Sequence, residues 1–222
     1  MIPWVHLDTA NVPGGGGTLK LMQRGSEFSI MAGARTLMNS RASGSEMALA
    51  TLVCARLRGA DCSVLIGGYG MGFTLRAALD ELPGTGRILV AELVPAVMAW
   101  ARGPMAGLTA GCLDDPRVTV HEGNVGDVIA SRPAGFDAII LDVDNGPDGF
   151  SRDANDRLYA VKGLVAARKA LRPKGILAVW SAAPDDEFTR RLGTAGFAVE
   201  KVKARANKGR GGWHTIWIAT KK

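Results

Sequence analysis

The stretch that most constrains this chain is Val64-Leu65-Ile66-Gly67-Gly68-Tyr69-Gly70-Met71-Gly72. A short apolar run feeds a glycine-rich turn. Phe73 to Leu82 follow with helix formers, and Leu75, Leu79 and Leu82 share one face at i, i+4 and i+7. Such a strand, turn and helix opens a nucleotide-binding α/β unit, in which glycine lets the chain turn with positive φ and lets the backbone approach a ligand. A glycine cluster by itself also marks a plain tight turn. A second apolar run, Ile88-Leu89-Val90-Ala91-Glu92, ends in a carboxylate about 20 residues beyond Gly72, the offset at which an acid on the neighbouring strand accepts both hydrogen bonds of a ribose diol. The two features together predict a nucleoside-containing cofactor.

The rest of the chain alternates strand and helix text. A helix runs from Ser45-Glu46 to about Leu57 and another from Val94 to Arg102, broken at Gly103-Pro104, with a further turn or two expected over Met105 to Leu113. Strand Val118 to His121, short helix Val125 to Ala130, strand Phe136 to Leu141, long helix Leu158 to Leu171, strand Ile176 to Trp180 and helix Pro184 to Ala195 follow. The tail offers strands Ala198 to Ala204 and Thr215 to Thr220, with a flexible basic loop from Arg205 to Gly212 between them. This pattern predicts an α/β fold with a doubly wound, mostly parallel Rossmann-like sheet, and an antiparallel C-terminal edge strand because no helix separates the last two strands. Ahead of it, Pro3, Pro13 and the run Gly14 to Gly17 read as a mobile arm or connector, and two short strands around Gln23-Arg24-Gly25-Ser26 read as a small β-hairpin. The expected division is an arm and hairpin over 1–44 and the main domain over 45–222.

At 222 residues the chain suffices for one α/β domain with a full core, and 47% hydrophobic with 22% charged residues is an ordinary soluble composition. The formal net charge of +6 would suit an anionic partner. The basic residues are nevertheless spread along most of the chain, which favours a solvated basic surface over a nucleic-acid footprint. Cys54, Cys62 and Cys112 form no CxxC pair, and their odd number argues for a reducing, cytoplasmic setting rather than a disulfide framework. No apolar run approaches the roughly 18 to 20 residues that cross a bilayer, and the first residues lack a signal-peptide pattern, so no membrane association is expected. His6, His121 and His214 lack metal-ligand spacing, so no catalytic metal is expected.

Gly67 to Gly72 followed by Thr74-Leu75-Arg76, then Glu92, Asp115-Pro116-Arg117-Val118, Phe136-Asp137-Ala138-Ile139-Ile140-Leu141-Asp142 and Leu171-Arg172-Pro173-Lys174-Gly175 carry a resemblance. From about residue 18 to 181 the chain resembles the spermidine synthase family, a branch of the class I S-adenosylmethionine-dependent methyltransferase fold. The resemblance implies a seven-stranded sheet with a site at the carboxyl ends of its strands. It implies S-adenosylmethionine or its decarboxylated form as cofactor and, at family level, a homodimer. The cofactor contacts it implies are Gly67, Gly68, Tyr69, Gly70 and Gly72, Glu92 with Leu93, Gly123, Asn124 and Val125, and Asp142. Glu92 would hold the ribose hydroxyls and the glycine turn would approach the methionine portion. Tyr69 would lie over the cofactor or face solvent. Asn124 stands where the family usually places an aspartate beside the adenine amino group; its side-chain oxygen can accept that bond, or can satisfy its own backbone.

On the acceptor side the chain departs from the family. Spermidine synthases carry an Asp-Ser-Ser/Thr-Asp-Pro type loop whose two acids grip the polyamine. Here the loop reads Asp142-Val143-Asp144-Asn145-Gly146-Pro147, so Asp142 matches the first acid, Asn145 replaces the second, and Asp144 is a displaced carboxylate. The family's substrate-side tyrosine is Ser45 here, while Glu46 keeps the adjacent acid. A diamine needs carboxylates at both ends to offset the desolvation of two ammonium groups, and only part of that set is kept. Asp142 is the candidate base or substrate-orienting group, with capping of the following loop as its other role. Asp144 is a candidate steering carboxylate or a solvated turn acid. Glu46, Asn145 and Trp180 are the candidate acceptor contacts, although a tryptophan at a strand end is more often core.

Three function classes follow. The first is a methyltransferase acting on a small molecule, supported by the intact nucleotide side and the eroded polyamine side. The second is an aminopropyltransferase using the decarboxylated cofactor and a polyamine. The third is an RNA-directed methyltransferase or RNA binder resting on the basic loop beside Trp213 and His214, where an ordinary solvated hairpin tip competes.

Overall fold

The computed structural model describes residues 2–143, 157–207 and 210–222, and within them the chain forms two separate sheets. The first is antiparallel, in the order β1 (Val5–Asn11), β2 (Thr18–Arg24), β3 (Glu27–Ala32) and β4 (Arg35–Asn39). The period-two text of β2 and β3 puts Leu19, Leu21, Ile30 and Ala32 on one buried face, and the register pairs Leu21 with Ile30 and Leu19 with Ala32. The hairpin expected around residues 23–26 is therefore present, but as the middle of a four-stranded sheet.

Residues 2–17 correct the sequence expectation of a mobile arm or connector. Most of β1 is exposed, so its sequence carries no alternating apolar signal. It is held instead by main-chain pairing to β2 and by the Trp100 indole N–H, which donates to Asp8 Oδ2 at 2.7 Å. The glycine run is a tight turn closed by Val12 N–H donating to the Gly17 carbonyl at 2.9 Å.

The second sheet has seven strands in the order β10, β11, β9, β8, β5, β6, β7. These are β5 (Ser63–Gly67), β6 (Arg87–Glu92), β7 (Val118–Glu122), β8 (Phe136–Leu141), β9 (Leu171–Ser181), β10 (Phe197–Asn207) and β11 (Arg210–Lys221). The pairings β5–β6, β6–β7, β5–β8 and β8–β9 are parallel, whereas β11 runs antiparallel to both β9 and β10. The antiparallel strand is thus one place in from the edge, which β10 occupies.

Both faces are covered, which is why these strands read as unbroken apolar runs. Successive side chains go to opposite cores: Val64 and Ile66 join one cluster and Leu65 the other. α1 (Gly44–Cys54), α2 (Phe73–Glu81) and α3 (Pro95–Arg102) supply Leu49, Leu75 and Val97 to the first cluster. α4 (Val125–Ser131), α5 (Val161–Ala170) and α6 (Asp186–Thr194) supply Ile129, Leu164 and Leu192 to the second. Each such fully buried leucine contributes about 1.5 to 3 kcal/mol. The stretch 105–113 forms short 3-10 turns at Ala106–Leu108 and Cys112–Asp114 rather than an α-helix. The described parts of the basic tail loop belong to β10 and β11, and residues 208 and 209 lie outside the description.

After β5 the chain steps outward through β6 to β7 and then returns to place β8 on the other side of β5. In an open α/β sheet the crevice at the carboxyl ends beside such a reversal is where ligands bind. No helix among the described residues is long and apolar enough to cross a membrane.

Candidate active site

β5 ends at Gly67, and the chain leaves the sheet at Gly68 with φ 85°. A Cβ on Gly68 would strike the Asp142 carbonyl at the end of β8, so glycine is required for both the turn and the close strand approach. The turn ends at Gly72, the N-cap of α2, with φ 80°. There a Cβ would lie 2.6 Å from the Tyr69 hydroxyl oxygen.

Glu92, at the tip of β6, is 7% exposed and faces this turn. One carboxylate oxygen accepts the Tyr69 N–H at 2.8 Å and the other the Val94 N–H at 2.9 Å. The acid therefore fixes the glycine turn to the start of α3, and a carboxylate has acceptor capacity for about four donors in all. Gly68, Gly70, Glu92, Leu93, Gly123, Asn124, Val125 and Asp142 line one continuous cleft. Leu19, Ile30, Leu37 and Met38 of the N-terminal sheet wall its other side. The fit to an adenosyl compound rests on the glycine cradle, the inward acid and the apolar wall across from them.

Asn124 caps α4, its Oδ1 accepting the Gly126 N–H at 2.8 Å, and it also lines the cleft. Tyr69 is buried, with its hydroxyl 3.3 Å from Thr109 Oγ1 and 3.8 Å from Cys112 Sγ, so the ring is anchored in protein rather than facing solvent. Gly67 supports the cleft from behind, where a Cβ would lie 2.9 Å from a Val125 methyl.

A second, smaller cleft adjoins the first and shares Leu37, Met38, Gly70 and Asp142 with it. Asn39, Glu46, Tyr69, Met71, Phe73 and Trp180 complete its lining. Asp142 thus stands where the two clefts meet. Thr74 Oγ1 donates to Asp142 Oδ2 at 2.5 Å. Burial pushes Asp142 up to about 6 against the pull of that hydroxyl, and burial plus the Asp142 charge push Glu46 up to about 7. Two neighbouring carboxylates that resist ionising together will share a proton near neutral pH or bind a cation. Trp180 is 8% exposed, lies edge-on to His214 with ring centroids 4.8 Å apart, and has no hydrogen-bond partner for its indole N–H among the described residues.

The structure brings Asp142, Glu46 and Trp180 to one cleft, while Asp144 and Asn145 lie outside the described residues. Sequence reasoning passed over Thr74, Ser45 as a hydrogen-bonding group, and His214. Thr74 was legible as a hydroxyl on the first turn after the glycine loop. His214 was not, being 169 residues from the Ser45 it touches. Among the described residues no group of three or more His, Cys, Asp or Glu could hold a metal ion.

No family model matches the sequence. The polyamine aminopropyltransferase of Mycobacterium tuberculosis is 37% identical over 146 residues, covering 62% of this chain and 27% of that protein. Putrescine N-methyltransferase 4 of Nicotiana tabacum is 36% identical over 115 residues, covering 51% of this chain and 28% of that protein. The chain thus spans little more than a quarter of the length of the curated relatives it matches. The crystal structure of spermidine synthase from Thermotoga maritima superimposes with a TM-score of 0.78 at 19% identity, covering 98% of this chain and 73% of that one. A spermidine synthase in complex with the transition-state analogue AdoDATO superimposes with a TM-score of 0.77 at 18% identity, covering 98% and 72%. Homologues and structural neighbours are spermidine synthase-like, and the fold is that of the spermidine synthase-like branch of class I methyltransferases.

Proposed function

We propose, for a chain whose homologues and structural neighbours are spermidine synthase-like, a transferase that moves an alkyl group from an adenosyl sulfonium compound to an amine of a small cationic acceptor. The observation that carries this is Asp142 at the junction of two clefts, paired electrostatically with Glu46. The first cleft would take the nucleoside, with Gly68 and Gly70 against its chain, Glu92 on its ribose and Asn124 near its base. The bound sulfonium would supply an electrophilic carbon and a thioether leaving group. The second cleft would take the amine, its apolar walls Met38, Phe73 and Trp180 packing the carbon chain and its two carboxylates offsetting the ammonium charge.

An amine attacks only with its lone pair free, so it must give up a proton. Asp142, held by Thr74 and raised toward neutrality, is suited to take it. The nitrogen lone pair would form the new N–C bond as the C–S electrons return to sulfur, and the N–H proton would pass to the Asp142 carboxylate. Orientation across the cleft junction supplies the rest of the acceleration.

Among the described residues lining the first cleft there is no Lys, Arg or His, while Glu92 and Asp142 are both acids. The carboxylate of S-adenosylmethionine would meet no cationic partner among these described residues, whereas its decarboxylated form presents only positive charge toward Glu92 and Asp142. This favours aminopropyl transfer over the methyl transfer placed first from sequence. Methyl transfer is the second reading, favoured by Ser45 at the family's tyrosine position and by relatives named putrescine N-methyltransferases. An RNA-directed activity has less support, since Arg205 already lies over the Trp213 ring at 3.8 Å.

The test is a product assay with both donors against a panel of monoamines, diamines and polyamines. Alkylated amine formed with either donor, and lost in Asp142→Asn at saturating donor, supports the reading. Failure of every amine with both donors would refute it.

A further inference from the structure

The last strand returns to the acceptor cleft from the far end of the chain. α1 starts at Gly44, where a Cβ would lie 2.8 Å from the Asn207 backbone carbon, so any side chain there would push the helix off the β10–β11 hairpin. That close approach brings Ser45 against β11. Ser45 is fully buried, and its Oγ lies 2.8 Å from Glu46 Oε2 and 2.8 Å from His214 Nδ1.

A serine hydroxyl has one hydrogen to donate. If Glu46 and Nδ1 were both acceptors, one of the two contacts would have no proton in it. Two arrangements satisfy both. In the first, protonated Glu46 donates to Ser45 and Ser45 donates to Nδ1 of a ring whose own hydrogen is on Nε2. In the second, Nδ1–H donates to Ser45 and Ser45 donates to the Glu46 carboxylate. Shifting one hydrogen along each bond converts the first into the second and carries a net proton from Glu46 to the imidazole.

We propose that Glu46, Ser45 and His214 form a proton relay leading from the acceptor cleft to the β10–β11 hairpin. Its catalytic purpose rests on the transferase reading; its existence does not. An amine between Asp142 and Glu46 gives its proton to this carboxylate pair. The Glu46 O–H bond then breaks as its proton passes to Ser45 Oγ, the serine proton passes to Nδ1, and the imidazolium releases its Nε2 proton to water. The ring resets by swinging away from Ser45, losing its Nδ1 hydrogen to water, gaining one on Nε2 from water and swinging back.

The surroundings suit the role. Asp142, at the end of β8, is the charge acting on Glu46, and α2 and β9 present the neutral Thr74 and Trp180. Burial lowers the His214 pKa, so the ring gives up its proton readily. Arg205 of β10 is occupied by the Gly211 carbonyl and the Trp213 ring. Among the described residues Nε2 of His214 has no hydrogen-bond partner, and the residue is half-buried.

Nitrogen-15 NMR of histidine-labelled, ligand-free protein tests the relay. Between about pH 6 and about pH 8.5, His214 should cross from the Nε2–H to the Nδ1–H tautomer as Glu46 ionises, and the crossover should vanish in Ser45→Ala and in Glu46→Gln. A single tautomer throughout in the wild type, or a crossover that survives either substitution, would overturn it. In turnover, His214→Asn should lower kcat by about tenfold with the acceptor KM within about twofold, and added imidazole should restore the rate. An unchanged kcat would overturn the catalytic use. Absence of any transferase activity would leave the tautomer result standing, so the two readings fail separately.

Discussion

Thr74 on the first turn of α2 donates its hydroxyl hydrogen to Asp142 Oδ2 at 2.5 Å, tying the glycine-loop helix to the tip of β8. The bond fixes the orientation of the carboxylate at the junction of the clefts. It also stabilises the ionised form, which burial opposes.

Thr74→Val removes that donor while keeping the volume. Asp142 then titrates higher than in the wild type, and the acid limb of the pH–rate profile moves to higher pH. Loss of the bond lowers stability by about 1 to 3 kcal/mol in denaturant unfolding. Thr74→Ser should keep both properties close to wild type. An unmoved acid limb in Thr74→Val would separate this hydroxyl from the ionisation of Asp142.

Gly68→Ala tests the cradle. Its φ of 85° is strained for any residue with a Cβ, at a cost of about 1 to 2 kcal/mol, and the new methyl would strike the Asp142 carbonyl. The expected loss exceeds about 2 kcal/mol, with donor binding abolished. Gly84→Ala, where a Cβ would meet nothing within 4 Å, should stay within about 0.5 kcal/mol of wild type in the same measurement.

Stability should depend on pH in a direction opposite to that of ordinary paired carboxylates. Asp142 and Glu46 rise in the fold from their ordinary values of 3.8 and 4.5 to about 6 and about 7. Between those limits the folded state holds more protons than the unfolded one. The protein therefore loses stability as pH rises through this window. Denaturant unfolding across about pH 4 to about pH 8 should show this slope, and Asp142→Asn with Glu46→Gln should flatten it. A slope of the opposite sign would mean that the pair is not buried together.

The glycine turn and the acid that faces it were legible in sequence because they are local: Gly67 to Gly72 and Glu92 follow or end the neighbouring strands β5 and β6, whose apolar runs mark them. The main sheet followed from the same alternation. β1 was missed because an edge strand with an exposed face is held by main-chain bonds and by one indole contact from Trp100, neither of which leaves a periodic signal. The wall that the N-terminal sheet gives the cleft was missed with it.

The smaller cleft was legible only in part. Asp142 and Glu46 were singled out one by one from family positions, but their mutual repulsion appears only when β8 and α1 converge. Ser45 registered as the loss of a tyrosine, since nothing in the text of α1 pointed to an imidazole on β11. Asp144 and Asn145 lie outside the described residues and their assigned roles stay as proposals.

The central claim is that an adenosyl sulfonium compound binds in the cleft over the glycine turn with its sugar on Glu92. Calorimetry with S-adenosylmethionine and its decarboxylated form tests it most directly, using wild type and Glu92→Ala, with thermal melts to confirm that the variant stays folded after losing its bonds to Tyr69 and Val94. The account predicts one site, tighter for the decarboxylated form, and weaker by about 1 to 3 kcal/mol in Glu92→Ala. No binding of either compound, or equal affinity in a folded Glu92→Ala, would contradict it.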